Sequence, residues 1–393
     1  MEIKELKSVF LTNGQLRKTL AAARSLGSRG INVTVAEETR FNPAAFSKYC
    51  QQSLVCPNAR DKPDEFYNWL VKSLKANPSD VLFPMDDDTM DVVMKHRDEL
   101  QKICYLPLPS TESYAIASDK GKTVELAKEA GIYCPRTVLP ENVDNITEVV
   151  SYMKYPLIIK PRKSSGSRGI CIVTEKDRLK EEYLRVHSKY PYPIVQEYIG
   201  TGDRYDVCLL FDEDHRLKAS FVQKEIRHFP IDIGPSTVQE SVYLPELVKD
   251  CLKLMAMLKW IGVVELEFMV DAKDGKMKLM EINPRFWNSL YLSILAGVDF
   301  PWLLYKVAIG EDFQGVFEYK RGIRCKWLLP GDLLHFLFNK ERFKMNPPLL
   351  GGKKHNIKDD IASFDDPMPV LGFVFACLRY LADKKMWETM FKR

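Results

Sequence analysis

The stretch PLIIKPRKSSGSRGICIV, residues 156–173, is the part of the chain from which the fold is best predicted. An apolar run ends in Lys160, a loop of serines, glycines and cations follows, and a second apolar run closes the stretch. Aliphatic runs bounded by small residues predict a strand, a turn and a second strand. Glycines let the backbone approach a ligand, free N–H groups bind anions, and the Lys160 ammonium neutralises a phosphate. The stretch predicts a phosphate-binding hairpin; an ordinary polar hairpin with surface cations is the alternative.

Two common phosphate-binding loops are excluded by spacing. Gly121-Lys122-Thr123 resembles the end of a Walker A loop, but Ile116 occupies the position that requires the first glycine. No G-x-G-x-x-G follows the first apolar run, so the dinucleotide fingerprint is absent from the sequence as well.

The composition is that of a globular protein with two or three domains. The 393 residues are 46% hydrophobic and 28% charged, and the net charge of +4 is too small to indicate nucleic-acid binding. Nine scattered cysteines form no C-x-x-C pair and the six histidines no H-E-x-x-H, which argues against a disulfide framework and a zinc site. The first apolar run is too short for a signal peptide, so we expect a soluble, cytoplasmic protein.

Strands alternate with helices over residues 1–115, which predicts a doubly wound parallel α/β domain. Predicted strands lie at residues 8–12, 31–37 and 81–84, and predicted helices at 16–26, 66–74 and 89–100. Ligands of such sheets bind beyond the carboxyl ends of the strands. Asn13, Gly14 and the acids Asp86 to Asp88 are therefore predicted to border a site, and a solvated helix start accounts equally well for the three acids.

The second half of the chain contains an acidic hairpin. Strands at 262–270 and 277–282 flank a turn at Asp274-Gly275, which brings Glu267, Glu281 and Asn283 to one face. Two carboxylates and an amide oxygen suit Mg²⁺, and Arg285 can contact a phosphate or a carboxylate bidentately. The alternative is a set of surface acids paired with Lys276 or Lys278.

With these features together, the chain resembles the ATP-grasp superfamily, and within it the carboxylate–amine ligases similar to biotin carboxylase and carbamoyl-phosphate synthetase. The resemblance covers residues 8–315 and rests on motifs in the expected order: Ser118-Asp119-Lys120, Ile159-Lys160 with its loop, residues 195–199 (VQEYI), residues 265–268 (ELEF) and residues 280–285 (MEINPR). It implies a small lobe with a glycine-rich lid at 116–195, a large lobe with the metal site at 196–320, and a helical C-terminal extension at 321–393.

The resemblance also implies roles for single residues. ATP would be bound by two lysines, the lid, the hinge strand and an acid on the ribose: Lys120, Lys160, Ser165, Gly166, Ser167, Gly169, Gln196, Glu197, Tyr198, Ile199 and Asp203. Family members usually carry a glutamate at the ribose position, which puts Asp203 in doubt. Two Mg²⁺ ions, which Mn²⁺ can replace, would be held by Glu267, Glu281 and Asn283. Arg285 would steady the acyl phosphate, and Lys224 would contact the transferred phosphate; a strand-edge charge cluster is the alternative for Lys224.

The implied activity is that of an ADP-forming ligase. A carboxylate, from a small molecule or a sugar, is activated as an acyl phosphate and joined to an amine or amino acid, with modification of cell-surface polysaccharides as one setting. Alternatives are an ATP-grasp carboxylase or carboxylate kinase and a non-catalytic nucleotide-binding module. Dimers are common among such folds, and the oligomeric state is left open. The apolar C-terminal segment is interpreted as a helical cap or, alternatively, as an interfacial element in peripheral membrane contact.

Overall fold

The structure is a computed structural model that describes residues 7–164, 166, 168–200, 202–231, 234–350 and 357–382, with side chains up to 378 in the last range. The α-helices of these residues run Arg17–Gly27, Pro63–Ala76, Asp87–Lys95, Arg97–Leu100, Thr111–Ala117, Lys120–Glu129, Ile146–Val149, Leu179–His187, Pro245–Leu258, Leu290–Ala296, Phe300–Ala308, Leu333–Phe338 and Pro369–Ala382. Short helical turns lie at Ala44–Phe46, Lys176–Arg178, Leu328–Asp332 and Arg342–Lys344. The chain has an α/β fold with three sheets, one parallel and two largely antiparallel.

The N-terminal sheet is parallel and has four strands, in the spatial order Gln52–Val55, Asn32–Glu37, Ser8–Leu11, Val81–Phe83. Val9 and Leu11 pack on one side and Phe10 on the other, so the central strand is buried on both faces, as its continuous apolar run predicts. The structure differs from the predictions for this part in two places. The edge strand at 52–55 was not predicted, and the helix expected over 89–100 is interrupted at His96.

The second sheet contains the hairpin predicted from residues 156–173. Its strands are Thr137–Val138, Ile194–Glu197, Leu157–Lys160 and Cys171–Val173, in that spatial order and all antiparallel. Leu157 lies opposite Val173, which confirms the strand, loop and strand prediction. Leu157 and Ile159 pack beneath the helix Leu179–His187, so the carboxyl end of their strand is held against a small core of its own.

The third sheet has seven strands, in the spatial order Met277–Asn283, Gly262–Val270, Arg204–Phe211, Leu217–His228, Ser236–Val242, Arg324–Lys326 and Ile357–Asp359. All neighbours are antiparallel except the last pair. Alternate residues of the middle strand face different cores: Val207 and Leu209 pack under the helix Pro245–Leu258, and Cys208 and Leu210 face the opposite side. The predicted acidic hairpin is confirmed as the first two strands of this sheet.

The C-terminal segment contains the predicted helices, at Leu333–Phe338 and Pro369–Ala382, together with two strands that were not predicted. Two of its stretches are strands that extend the large sheet, because the edge strand Ser236–Val242 offers unpaired backbone groups to Arg324–Lys326. Buried ion pairs hold the segment to the large sheet and to the helix Arg17–Gly27. Asp332, fully buried, accepts two hydrogen bonds from Arg227 at 2.8 and 2.9 Å, and Asp366 accepts one from Arg24 at 2.9 Å.

In the part of the chain that the structure describes, no single helix is long and apolar enough to cross a bilayer. The consecutive helices Leu290–Ala296 and Phe300–Ala308 reach that length and composition only together, across a 93° bend.

Candidate active site

A cavity of about 230 Å³ lies between the small sheet and the large sheet. Nine of the predicted site residues line it: Lys120, Lys160, Gly166, Glu197, Tyr198, Ile199, Glu267, Glu281 and Arg285. Five predicted residues do not line it: Gly169, Gln196, Asp203, Lys224 and Asn283. Ser165 and Ser167, also predicted, lie outside the described residues. The basic hairpin and the acidic hairpin thus face one shared space.

Lys160 ends its strand on the basic side of the cavity. Its Nζ donates a hydrogen bond of 2.8 Å to Oε1 of Gln196, which lies on the neighbouring strand. Burial lowers the pKa of the Lys160 ammonium to about 8, although Glu281 opposes that change. A cation held in a buried position with one neutral partner retains donors for an anionic ligand.

Lys120 begins the helix Lys120–Glu129. Asp119 caps this helix by accepting hydrogen bonds from two backbone N–H groups, at 2.9 and 3.2 Å. The Lys120 Nζ lies 2.8 Å from the Glu281 carboxylate and 2.8 Å from the carbonyl oxygen of Ser164. The lysine therefore joins the glycine-rich loop to the acidic hairpin.

The described part of the glycine-rich loop uses backbone conformations that favour glycine. Gly166 has φ 61° and Gly169 φ 73°. A Cβ at Gly169 would also lie 2.6 Å from the Tyr190 ring. Gly166 lines the cavity, whereas Gly169 lies outside the lining and packs on Tyr190 and Pro161.

Glu267 and Glu281 lie directly opposite each other on the two strands of the acidic hairpin. Asn283 shares their face, since its Nδ2 donates to Glu267 at 2.6 Å and to Glu265 at 3.1 Å. Lys278, offered as an alternative partner of these acids, instead donates to Asp271 at 2.6 Å and Glu197 at 2.9 Å. The acids therefore face the cavity rather than a surface lysine.

The face of the large sheet that carries Glu267 and Glu281 holds further carboxyl groups. Asp206 lies opposite Glu267 on the third strand, so three carboxylates stand side by side. Burial, together with Glu281 and Glu265, raises the pKa of the Glu267 carboxyl well above its usual range, and burial raises that of Asp206 as well. Glu281 differs: burial opposes its ionisation, but Lys120 and Lys160 hold its pKa below the usual value. Such a face favours a bound cation.

The donor set fits Mg²⁺ rather than a metal with an all-protein cage. In the ranges that the structure describes, no group of three or more histidine, cysteine or acidic side chains is arranged to hold a metal. Mg²⁺ keeps waters and phosphate oxygens in its shell, so two carboxylates and an amide oxygen suffice. The Oδ1 of Asn283 accepts a hydrogen bond of 2.9 Å from Arg285, which leaves its second lone pair for a cation.

Arg285 connects the site to the N-terminal sheet. Its Nε donates to Asp87 at 2.7 Å, and its Nη1 donates to the carbonyl oxygen of Phe286 at 3.1 Å. Asp86 instead caps the helix that starts at Asp87, where it accepts from the Thr89 backbone N–H at 2.9 Å. The three acids thus lie at a helix start, and Asp87 contacts the cavity-lining Arg285, but none of the three lines the cavity itself.

The predicted hinge and ribose residues divide between the cavity and its surroundings. Glu197 lines the cavity, and its carboxylate accepts from the backbone N–H of Arg136 at 2.9 Å. Asp203, predicted to contact the ribose, is half exposed and pairs with Lys224 at 2.6 Å. Both members of this pair lie outside the cavity lining, and their roles toward the ribose and the transferred phosphate stay predictions.

Several lining residues were not predicted. They are charged or polar side chains from the large sheet and the segment after the acidic hairpin: Arg204, Asp206, Glu225, Glu265, Asn288 and Ser289. Glu265 had a readable signal, because a side chain two residues before Glu267 faces the same side of a strand. Glu225 accepts a hydrogen bond from His228 at 2.7 Å if that histidine nitrogen carries the proton.

Two curated proteins are similar to this chain in sequence. The large chain of carbamoyl phosphate synthase from Thermotoga neapolitana is 25% identical over 214 residues, which cover 51% of this chain and 19% of that protein. A formate-dependent phosphoribosylglycinamide formyltransferase from Ignicoccus hospitalis is 24% identical over 300 residues, covering 71% of this chain and 69% of that one. The chain thus spans about a fifth of the first relative's length.

A solved structure shows the same fold. The biotin carboxylase domain of the 2-oxoglutarate carboxylase from Hydrogenobacter thermophilus, determined with MgADP, ADP and bicarbonate, superposes with a TM-score of 0.68 at 16% identity. The match covers 81% of this chain and 72% of that one. Residues 119–316, just over half of the chain and including both hairpins, match a family model. The chain belongs to the family described as the carbamoyl-phosphate synthase L chain, ATP binding domain, which confirms the resemblance to ATP-grasp proteins.

Proposed function

We propose that the protein is an ADP-forming ligase that activates a carboxylate with ATP and joins it to an amine. One observation supports the proposal most strongly: two lysines, two opposed glutamates and Arg285 line a single cavity. Phosphoryl transfer is catalysed mainly by positioning and by charge stabilisation, and these are the side chains it requires.

The basic side of the cavity is proposed to bind phosphate oxygens. Lys120 and Lys160 supply ammonium donors, and Gly166 lets the backbone come close to the ligand. Tyr198 and Ile199, at the end of the hinge strand, are proposed to border the adenine. The hydrogen bonds of Glu197 to Arg136 and Lys278 support a role in shaping this wall rather than a free acceptor.

The acidic side is proposed to hold Mg²⁺ through Glu267, Glu281 and Asn283. Bound Mg·ATP supplies the phosphoryl group that turns a carboxylate into a good electrophile. Arg285, within the same cavity, is proposed to orient the substrate carboxylate and to neutralise the charge that develops on it. Closure of the glycine-rich loop is proposed to exclude water, which would otherwise hydrolyse the activated acid.

The domain division proposed for the chain has four parts. These are a doubly wound unit (1–115), a small lobe with the loop (116–195), a large lobe with the metal site (196–320) and a C-terminal extension (321–393). The three separate sheets support the first three parts, and the first part and the small lobe each have a core of their own. Two further cores pack the large lobe against the first part and against the small lobe. The substrates are proposed to be an organic carboxylate and an amine or amino acid, with a homodimer as the assembly.

The experiment is a screen for ADP release with Mg²⁺ and ATP over amino acids, sugar acids and bicarbonate, each with and without an added amine. A ligase releases ADP only when both substrates are present. ADP release on the carboxylate alone would indicate a kinase or carboxylase instead, and nucleotide binding without any ADP would indicate a binding module.

Glu267→Gln is the informative variant for this screen, because the substitution removes one charge and preserves the side-chain volume. We expect it to reduce ADP release by about 10²- to 10³-fold. Glu240→Gln is the matched control, since Glu240 lies in the same sheet, pairs with Arg324 and does not line the cavity. Equal activity in the two variants would contradict the assignment of the acidic hairpin.

A further inference from the structure

The segment 337–350 exposes large apolar side chains beside basic ones; we call it the apolar-basic loop. Four of its apolar residues are 52–88% exposed: Leu337, Phe338, Phe343 and Leu350. Lys340, Arg342 and Lys344 alternate with them along the chain, against the single acid Glu341. The loop therefore combines exposed apolar tips with a net positive charge.

The base of this loop is fixed on the large sheet. The Phe338 ring packs on Phe229 with centroids 5.6 Å apart, and Nδ1 of His335 lies 2.7 Å from the carbonyl oxygen of His228. Arg227, buried against Asp332, also donates to the carbonyl oxygen of Pro347. The exposed tips consequently project from a rigid support.

The same support borders the candidate active site. Gly234 lines the cavity and packs so closely on Phe229 that a Cβ at Gly234 would lie 2.0 Å from the Phe229 carbonyl oxygen. Phe229 in turn contacts Phe338. The loop thus stands one aromatic contact away from a wall of the cavity.

The character of the loop favours a lipid surface over a protein partner. Phe343 is 88% exposed, and the Arg342 guanidinium lies 5.8 Å from its ring centroid. Lys344 is 80% exposed, and among the described residues its ion-pair partner is the exposed Glu341, so its charge is available to an anionic surface. Aromatic and aliphatic tips interspersed with cations are typical of segments that lie in the interfacial region of anionic bilayers.

We propose that the apolar-basic loop docks the protein on an anionic lipid bilayer. Phe343 and its apolar neighbours enter the interfacial region, and Lys340, Arg342 and Lys344 contact the headgroups. This contact brings the cavity wall near the membrane surface. A substrate attached to a lipid could then enter the cavity while its lipid stays in the bilayer. The inference is independent of the reaction proposed above, because it concerns residues outside the cavity.

The test is co-sedimentation of the full chain with vesicles. We expect binding to phosphatidylcholine vesicles containing about one third phosphatidylglycerol, weakened by salt, and much less binding to pure phosphatidylcholine. Phe343→Ser should weaken the binding about tenfold and Lys340→Glu about fivefold. Both side chains are exposed, so the variants should fold and release ADP in solution as the wild type does.

Two control variants make the same kinds of substitution at exposed sites outside the loop. They are Tyr152→Ser, at a residue 60% exposed in the small lobe, and Lys180→Glu, at an exposed lysine. Neither should change vesicle binding. The proposal is overturned if the wild type ignores anionic vesicles or if the controls weaken binding as much as the loop variants. It is also overturned if Phe343→Ser dissociates a dimer in light scattering while vesicle binding stays unchanged.

Discussion

Replacement of Lys160 by methionine tests whether this lysine serves ligand binding at a cost in stability. Burial lowers its pKa from 10.5 to about 8, which corresponds to about 3 kcal/mol of unfavourable free energy for the charged form in the folded protein. The substitution removes that cost but leaves Oε1 of Gln196 without its donor, a loss of about 1–3 kcal/mol. We expect Lys160→Met to leave the free energy of unfolding unchanged or to raise it by up to about 2 kcal/mol.

The same substitution should sharply reduce nucleotide affinity. Loss of one preorganised cation beside a phosphate weakens binding or catalysis by about 10²- to 10³-fold. A fluorescent ATP analogue measures the affinity, and urea unfolding measures the stability. The double variant Lys160→Met with Gln196→Leu removes the orphaned amide oxygen and should be the more stable of the two.

The pH dependence gives an independent check. The unfolded lysine binds its proton up to about pH 10.5, whereas the folded one releases it near pH 8, so wild-type stability should rise between these values. Lys160→Met should lack this rise. If the variant is destabilised by more than about 2 kcal/mol and still binds the ATP analogue normally, Lys160 is a packing residue and the reasoning fails.

Three further outcomes are expected. Glu281→Gln should raise the Mg²⁺ concentration needed for half-maximal ADP release at least tenfold, because the carboxylate beside Lys120 is lost; an unchanged Mg²⁺ titration would remove Glu281 from the metal site. Arg227→Met should destabilise the protein to urea by about 3–5 kcal/mol, since it leaves the fully buried Asp332 unpaired, and a second change, Asp332→Leu, should recover much of the loss; no recovery would contradict the pairing. Burial raises the pKa of Glu37 to about 7, so the folded protein holds a proton that the unfolded chain releases near pH 4.5. Wild-type stability should therefore fall by up to about 3 kcal/mol relative to Glu37→Gln between pH 5 and pH 8, and parallel stability curves for the two proteins would contradict this.

The hairpins could be predicted because their signals are local. Alternating apolar residues and a turn of small residues specify a strand pair whatever the rest of the chain does. Glu267 and Glu281 flank one short turn, so their meeting follows from the hairpin alone. Lys160 likewise ends its own strand.

The residues that were missed depend on distant strands. Asp206 reaches the acidic face only because its strand pairs in register with the strand of Glu267, about 60 residues later in the chain. Lys224 illustrates a related difficulty, which is to predict the face of the sheet on which each side chain of a strand lies. Side chains alternate along a strand, so a shift of one residue exchanges the two faces: Glu225 lines the cavity, and Lys224 pairs with Asp203 outside it.

The two short strands of the C-terminal segment were missed for a different reason. Arg324–Lys326 and Ile357–Asp359 are only three residues each, and nothing in such short stretches distinguishes a strand from a loop. They are strands because an existing sheet edge accepts them.

The interlocking of the C-terminal segment bears on how this molecule can be divided. Excision at residue 316, where the family match ends, would leave Arg17 and Arg24 on their helix and Arg227 in the large sheet without Asp360, Asp366 and Asp332, and the large sheet would lose two strands. A shortened product of that kind would expose buried guanidinium groups and a bare sheet edge, and we expect it to aggregate. The family match therefore marks shared ancestry, and we expect the unit that folds by itself to extend beyond it.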